Sequence, residues 1–157
     1  MKFEWTKENK AEIADILTRY PTKKAALLPV LHVAQKEFGW ISPEVMEMVA
    51  QELEISTAHV YGVVTFYTMY NRQPVGKYHL QVCRTLSCAM MGSDKITSHI
   101  KKKLGIEIGE TTADKRFTLV EVECLASCGT APAMAINEKY FENLTEAEID
   151  KILDGLE

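Results

Sequence analysis

The sequence predicts an α+β protein in which an N-terminal helical bundle precedes an α/β domain. Apolar residues recur at helical spacing through the first half, whereas the second half alternates strand-like apolar runs with further helical patterns. Between the halves, Asn71–Gly76 has the composition of a turn or linker. We therefore expect a helical domain over residues 1–72 and a second domain over residues 73–157.

Apolar residues spaced by three and four positions predict four helices in the first half. The first stops before Pro21, and the second runs from about residue 23 to 38, before Gly39. Ser42 and Ser56 are the predicted N-caps of the third and fourth helices, because a serine hydroxyl accepts a bond from a first-turn N–H group. The apolar stripes expected to face the bundle core are Ile13, Ile16, Leu17 and Tyr20; Leu27, Leu31, Ala34 and Phe38; Val45, Met48, Val49 and Leu53; and Val60, Val63, Val64 and Tyr67.

The second half is predicted to form a strand, a helix, a second strand, a hairpin and a last helix, in that order. Tyr78, Leu80 and Val82 alternate along a strand that ends at Cys83, and a helix capped by Ser93 follows. A second strand spans about residues 116–123, a hairpin starts near residue 133, and a Thr145 capping box opens the last helix. This order of elements is that of thioredoxin-like domains.

Composition and charge exclude several functions. The net charge of −4, with Lys101–Lys103 as the only basic run, gives no reason to expect a nucleic-acid partner. No apolar run approaches the roughly 18 to 20 residues of a spanning helix, so we expect no direct membrane insertion. Met1–Trp5 does not resemble a secretory signal, which favours a cytoplasmic location, with any membrane reached through a larger complex.

All four cysteines lie in two short segments. Four residues separate Cys83 from Cys88, thirty-five separate Cys88 from Cys124, and three separate Cys124 from Cys128. Two local pairs suit a 2Fe-2S cluster, because each of its two iron atoms takes two thiolates. Both pairs follow predicted strand ends, which is where open α/β sheets place their ligands. If these strands are neighbours, the two loops open at one edge of the sheet.

Other uses of four cysteines fit less well. Zinc sites pair their cysteines at similar but usually shorter spacings, so a zinc-stabilised thioredoxin-like adaptor remains an alternative. Disulfides would need an oxidising compartment, and a thioredoxin-type redox pair needs the C-x-x-C spacing that both pairs lack. The histidines His32, His59, His79 and His99 could suggest a mixed His and Cys site, but we expect them to be surface residues of helices or strands.

The cysteine spacing, followed by Gly129–Pro132, resembles that of the thioredoxin-like 2Fe-2S ferredoxin family. In particular it is similar to the small subunit of bacterial NADH:quinone oxidoreductase, the respiratory complex I. The segments Leu31–Ile41 and Tyr61–Tyr67 also resemble that family's helical N-terminal region, so the likeness covers nearly the whole chain. NAD-linked or electron-bifurcating hydrogenases and formate dehydrogenases have related subunits, and they are the alternative parent complexes.

The resemblance implies a function and a site. Cys83, Cys88, Cys124 and Cys128 would ligate one 2Fe-2S cluster, and the chain would carry electrons within an NADH dehydrogenase complex without catalytic residues of its own. FMN and NADH would bind to a larger partner subunit, and further iron–sulfur subunits are expected. The sequence agrees, because it has neither a G-x-G-x-x-G nor a G-x-x-x-x-G-K-[ST] motif for a nucleotide.

The sequence also predicts roles for several residues beside the cysteines. Arg84 is either a charge that tunes the cluster or a solvated loop residue. Gly129 is expected to take a positive φ where the second loop turns, and Pro132 is a candidate for a cis peptide bond. Met90 and Met91 are expected to serve packing rather than ligation.

Overall fold

The computed structural model describes residues 3–156, and the chain divides into two compact units, Met1–Pro74 and Val75–Glu157. The division falls two residues after the boundary that the sequence predicts. Each unit has its own core of buried apolar side chains. None of the helices within residues 3–156 has the length and apolar character needed to cross a membrane.

The first unit is helical, as predicted. Its helices are α1 (Lys7–Thr18), α2 (Leu27–Phe38), α3 (Pro43–Leu53) and α4 (Thr57–Phe66), and a short 3-10 helix, Lys23–Ala26, leads into α2. Ten of the sixteen apolar residues expected at the core are buried, and Leu17, Phe38, Met48 and Val63 are partly buried, so the helical periodicity identifies the packed faces. The prediction is wrong for Tyr20 and Tyr67, which are exposed because α1 ends at Thr18 and α4 at Phe66, before the helical period reaches them. Pro29 lies in the first turn of α2, where a missing N–H group breaks no helical bond.

Side-chain caps begin α1, α3 and α4. The hydroxyl groups of Ser42 and Ser56 accept bonds from the backbone N–H groups of Val45 and His59, which confirms both predicted caps. Thr6 forms a reciprocal capping box with Asn9 at the start of α1. Each cap satisfies donors that the first helical turn leaves unpaired.

The segment after α4 is tied to α2. The Gln35 side chain donates to the Met69 carbonyl at 3.0 Å and accepts from the Asn71 N–H group at 2.7 Å. The buried Tyr70 places its hydroxyl 2.9 Å from the carbonyl oxygen of Leu28. This short segment is therefore held by both polar bonds and packing.

The second unit is built on a four-stranded mixed sheet. Its strands are β1 (Tyr78–Cys83), β2 (Phe117–Val122), β3 (Met134–Ile136) and β4 (Lys139–Phe141), in the spatial order β2-β1-β3-β4. Strands β1 and β2 run parallel, while β3 is antiparallel to both β1 and β4. The register pairs Cys83 with Val122, so β1 and β2 end at the same level.

Three helices complete this unit. They are α5 (Leu86–Met90), α6 (Ser93–Leu104) and α7 (Glu146–Asp154), and α6 packs against both β1 and β2. The predicted Ser93 cap is wrong: Ser93 is the buried first residue of α6, and Gly92, with φ of 90°, occupies the cap position. Glycine suits that position because residues with a Cβ rarely adopt this backbone conformation.

Ion pairs hold α6 against α7. Lys103 Nζ lies 3.0 Å from Asp150 and 2.7 Å from Asp154, while His99 Nε2 lies 2.9 Å from the same Asp150. Bonds from His99 and Lys103 lower the pKa of Asp150. The basic run at the end of α6 therefore serves contacts within this unit. The Thr145 hydroxyl accepts a bond from the Glu148 N–H group, which is one half of the predicted capping box. The Glu148 carboxylate, which would supply the other half, pairs with Lys151 at 3.2 Å.

Candidate metal centre

The two cysteine loops leave the sheet at one edge, as the sequence predicts. Because β1 and β2 are adjacent and parallel, their carboxyl ends lie side by side. Cys83 is the last residue of β1, and Cys124 comes two residues after the end of β2. The ladder continues one step further, since the Arg84 N–H group donates to the Val122 carbonyl at 3.0 Å.

The first loop buries its two thiols. Cys83 and Cys88 are each 3% exposed and pack with Ala131 and Ala133. Cys88 lies in α5, a helix of five residues that sequence periodicity did not reveal. The Thr85 hydroxyl lies 3.3 Å from Cys83 Sγ.

The second loop exposes its thiols. Cys124 Sγ accepts a bond from the Ala126 N–H group at 3.3 Å, and Cys128 begins a 3-10 helix, Cys128–Thr130. The expectation for Gly129 is wrong, because Ala126 is the residue of this loop with a positive φ, 60°. The predicted cis bond is confirmed at Ala131–Pro132.

One contact joins the two loops directly. The Cys83 thiol donates to the carbonyl oxygen of Glu123 at 3.2 Å, and Glu123 immediately precedes Cys124. Cys83 also contacts Cys88, and Cys128 lies near enough to Cys88 to interact with its thiol. The structure thus brings Cys83 and Cys88 together and places the second pair on the adjoining loop.

Local contacts shift the acidity of the two buried thiols in opposite directions. Burial alone would raise the pKa of Cys83, but hydrogen bonds from the Thr85 side chain and from the backbone of Thr85 and Leu125 outweigh it, so this pKa is lowered. Burial and the neighbouring Cys83 raise the pKa of Cys88. Cys83 is therefore the buried thiol whose surroundings favour the thiolate, the form that binds metal.

Sequence reasoning missed Glu123. The Arg84 side chain pairs with its carboxylate, with Nε 3.1 Å from Oε1 and a second guanidinium nitrogen on the same oxygen. Arg84 is therefore an ion-paired loop residue rather than a free solvated cation. The signal available was an acid directly before one cysteine and a base directly after another, but only the sheet order makes them neighbours.

The methionines beside the first loop do not pack as expected. Met90 is 79% exposed and Met91 is 63% exposed, and Leu86 on the same short helix is 75% exposed. The face of α5 opposite Cys88 is therefore apolar and open to solvent. Among the histidines, His79 lies half-buried on β1 and His99 pairs with Asp150.

The four cysteines provide the type and number of ligands that a 2Fe-2S cluster requires. Within residues 3–156, no three His, Cys, Asp or Glu side chains lie close enough together to hold a single metal ion. The chemistry nevertheless fits, because four unpaired cysteines in two local pairs adjoin one sheet edge and can offer two thiolates to each iron. The backbone N–H groups that point at the thiols suit a negatively charged group.

The chain matches a known family along most of its length. The model of the thioredoxin-like [2Fe-2S] ferredoxin family matches residues 13–157. The chain belongs to this family. One 2Fe-2S cluster is accordingly its cofactor, and the zinc alternative is set aside.

Similar proteins cover almost the whole chain. The chain is 45% identical over 155 residues to a subunit of the NADH-quinone oxidoreductase of Rickettsia felis, covering 97% of this ferredoxin and 93% of that protein. It is 44% identical over 157 residues to the mitochondrial NADH dehydrogenase [ubiquinone] flavoprotein 2 of Dictyostelium discoideum, covering 98% of this chain and 64% of that one. The first relative is named as a subunit of an NADH-quinone oxidoreductase and the second as a flavoprotein of an NADH dehydrogenase.

A solved structure shares the fold. A chain of an NAD+-reducing [NiFe]-hydrogenase in the air-oxidized state superposes with a TM-score of 0.73 at 21% identity. The alignment covers 83% of this ferredoxin but only 22% of the hydrogenase chain. At this identity the likeness concerns the fold alone.

Proposed function

We propose that this ferredoxin is the electron-transfer subunit of an NADH:quinone oxidoreductase, in which Cys83, Cys88, Cys124 and Cys128 hold one 2Fe-2S cluster. The observation that carries the proposal is its 45% identity to an NADH-quinone oxidoreductase subunit, which extends along 97% of this chain and 93% of that protein. A hydrogenase or formate dehydrogenase would use a similar subunit, but the hydrogenase likeness reaches only the fold. The quinone oxidoreductase is therefore the parent complex we propose.

The chain contributes the ligands and their surroundings. Each loop would supply one cysteine pair, and the Thr85 hydroxyl and the Leu125 N–H group favour the thiolate at Cys83. The bound cluster supplies one-electron chemistry, passing between an oxidised and a reduced state. Burial of Cys83 and Cys88 keeps water from one side of the site, whereas the exposed Cys124 and Cys128 leave the other side accessible to a partner.

A flavin subunit that binds FMN and NADH is the partner we propose. A hydride donor delivers two electrons at once, whereas the cluster accepts one, so a flavin must divide the pair. This sequence has no nucleotide-binding motif of the kinds sought. The division of labour between the two subunits follows from these two facts, and further iron–sulfur subunits would take the electron onward.

An exposed aromatic patch on the helical unit supports the docking of that partner. The patch consists of Tyr61, Phe66, Tyr67 and Met69, and Phe66 is 76% exposed although it packs against Tyr67 with ring centroids 5.0 Å apart. Trp40, another aromatic residue of this unit, is partly buried and is not counted in the patch. Because Met69 belongs to the segment bonded to α2, the patch is presented from an ordered backbone. Contiguous exposed apolar surface usually marks an interaction site.

Co-purification with the flavin subunit tests the proposal. The ferredoxin is co-expressed with the flavin subunit of the same complex, and the purified pair is mixed anaerobically with NADH. We expect NADH to bleach the visible absorption of the cluster in the purified pair. A complex that forms but leaves the cluster oxidised, when dithionite still reduces it, would contradict the assignment.

A further inference from the structure

The two ligand loops are linked by an ion pair whose members adjoin two of the proposed ligands. Arg84 directly follows Cys83, and Glu123 directly precedes Cys124. Two guanidinium nitrogens of Arg84 contact the same carboxylate oxygen of Glu123. The pair therefore spans the sheet edge from which both loops start.

The backbone around this pair is fixed independently. The Arg84 N–H group donates to the Val122 carbonyl at 3.0 Å, a backbone bond that does not depend on either side chain. The side chains themselves are 57% and 68% exposed. An ion pair this exposed contributes little to folding, because water screens its attraction and ordering two long side chains costs entropy. Stabilisation of the two loops is therefore not a sufficient role for the ion pair.

The charges have a second consequence at this position. Two ferric ions, two sulfides and four thiolates sum to −2, and one-electron reduction makes the total −3. A cation beside the loops favours the reduced state, an anion disfavours it, and a matched pair does neither. The bond to Glu123 and its charge raise the pKa of Arg84, and Glu121 on β2 adds a smaller contribution of the same sign. Arg84 therefore offsets an otherwise acidic end of β2.

We propose that Arg84 and Glu123 each shift the reduction potential of the cluster in opposite directions, and that their ion pair balances the two effects, because each partner compensates the charge of the other beside the ligand loops. The proposal rests on the proposed function, since it takes the four cysteines as the cluster's ligands. Neither side chain is a ligand or a catalytic residue. The pair acts only through its charge and its place between the loops.

Opposite single substitutions distinguish this role from a structural one. Arg84→Gln leaves the carboxylate uncompensated, and Glu123→Gln leaves the guanidinium uncompensated. We expect the first to lower and the second to raise the midpoint potential, each by a roughly threefold change in the equilibrium constant for reduction. That corresponds to about 28 mV, because a tenfold change is about 59 mV for one electron. A merely structural role would move both variants in the same direction.

The measurement is a redox titration of the cluster-containing protein at low ionic strength, followed by electron paramagnetic resonance. The double variant Arg84→Gln/Glu123→Gln and the exchanged pair Arg84→Glu/Glu123→Arg should both return close to the wild-type potential. Arg84→Lys should keep it, and Lys102→Gln, which removes an exposed charge near the end of α6, should leave it unchanged. High salt should reduce the two single shifts.

The outcomes distinguish a failure of the ion-pair proposal from a failure of the proposed function. Iron and sulfide are assayed before each titration. Wild-type protein that binds no cluster after reconstitution would overturn the proposed function. Iron-loaded single variants whose potentials equal the wild type, or shift with the same sign, would overturn the ion-pair proposal alone. If one single variant loses its cluster, the exchanged pair decides, since a wild-type potential there supports compensation and a large shift contradicts it.

Discussion

The Cys83 thiol lies 3.2 Å from the carbonyl oxygen of Glu123, so the first cysteine loop is bonded to the second one residue before Cys124. These residues are forty positions apart in the chain, and the parallel pairing of β1 with β2 makes them neighbours. The site is therefore organised by the sheet rather than by either loop alone. The loss of a ligand from one loop should consequently be felt in the other.

Replacing any one of Cys83, Cys88, Cys124 or Cys128 by Ala should lower bound iron and destabilise the second unit more than the first. Metal–ligand bonds that form only in the folded state contribute directly to folding. Iron and acid-labile sulfide assays on the four variants measure the loss, with Ser87→Ala as a control that keeps every thiol. Full iron content in two or more of the cysteine variants would refute the ligand assignment.

Removing the exposed aromatic patch should weaken binding to the flavin subunit. Phe66→Ser deletes the most exposed ring of the patch without removing a buried side chain. We expect less flavin subunit to co-purify with this variant while the iron content is unchanged. Tyr20→Ser, which alters an exposed aromatic residue beyond the end of α1, is the matched control and should bind normally.

A deletion tests the same surface more severely. A fragment from about Arg72 onward contains the whole second unit, which has its own buried core. It should still bind a cluster and should no longer co-purify with the flavin subunit. Unchanged co-purification would show that the contact lies outside the helical unit.

Gly76→Ala should destabilise the second unit. A Cβ at this position would lie 2.9 Å from backbone atoms of Arg116 and Phe117, which cannot move aside as a flexible side chain can. The Gly76 N–H group also donates to the buried Thr118 hydroxyl at 2.6 Å. Overpacking of this kind costs about 1–3 kcal/mol, which urea unfolding measures.

The control for that substitution lies in the helical unit. Gly62 is inside α4, where an added methyl group meets nothing within 4 Å. Gly62→Ala should be neutral or should stabilise by roughly 0.5–1 kcal/mol, because alanine favours a helix interior. Equal effects of the two substitutions would contradict a specific steric conflict at Gly76.

His79 should make the second unit less stable in mild acid. Burial lowers the pKa of His79 below its ordinary value of 6.5, so the unfolded chain binds a proton that the folded chain resists. The stability that depends on a neutral His79 is fully present above about pH 6.5 and is lost as the pH falls toward the folded-state pKa of His79. His79→Gln should show a smaller drop in the free energy of unfolding between pH 7.5 and 5.5 than the wild type. Parallel pH profiles would argue against this origin.

Much of the fold could be predicted from the sequence. Helices of ten or more residues repeat their buried positions often enough to be recognised, and Ser42 and Ser56 carry the chemistry of a cap. Strand β1 was equally clear, because its alternating residues end at Cys83. The short helix α5 was missed, since its five residues complete too few turns to display a period.

The details of the site depend on tertiary contacts. The positive φ at Ala126, where Gly129 was expected, accompanies the bond from the Ala126 N–H group to Cys124, a geometry that composition does not reveal. The Arg84–Glu123 pair joins residues thirty-nine positions apart, so it follows from the pairing of β1 with β2. The exposure of Met90 likewise depends on which face of α5 carries Cys88 inward.

The most direct test of the account is an anaerobic titration of the purified chain by itself, first with NADH and then with dithionite. The visible spectrum and the electron paramagnetic resonance signal of the reduced cluster report the electron. Because the cluster takes one electron and a hydride donor delivers two, the account predicts no reduction by NADH and full bleaching by dithionite. Reduction by NADH alone at a useful rate would contradict it, because the chain would then contain a cofactor site of its own and would not depend on a flavin subunit.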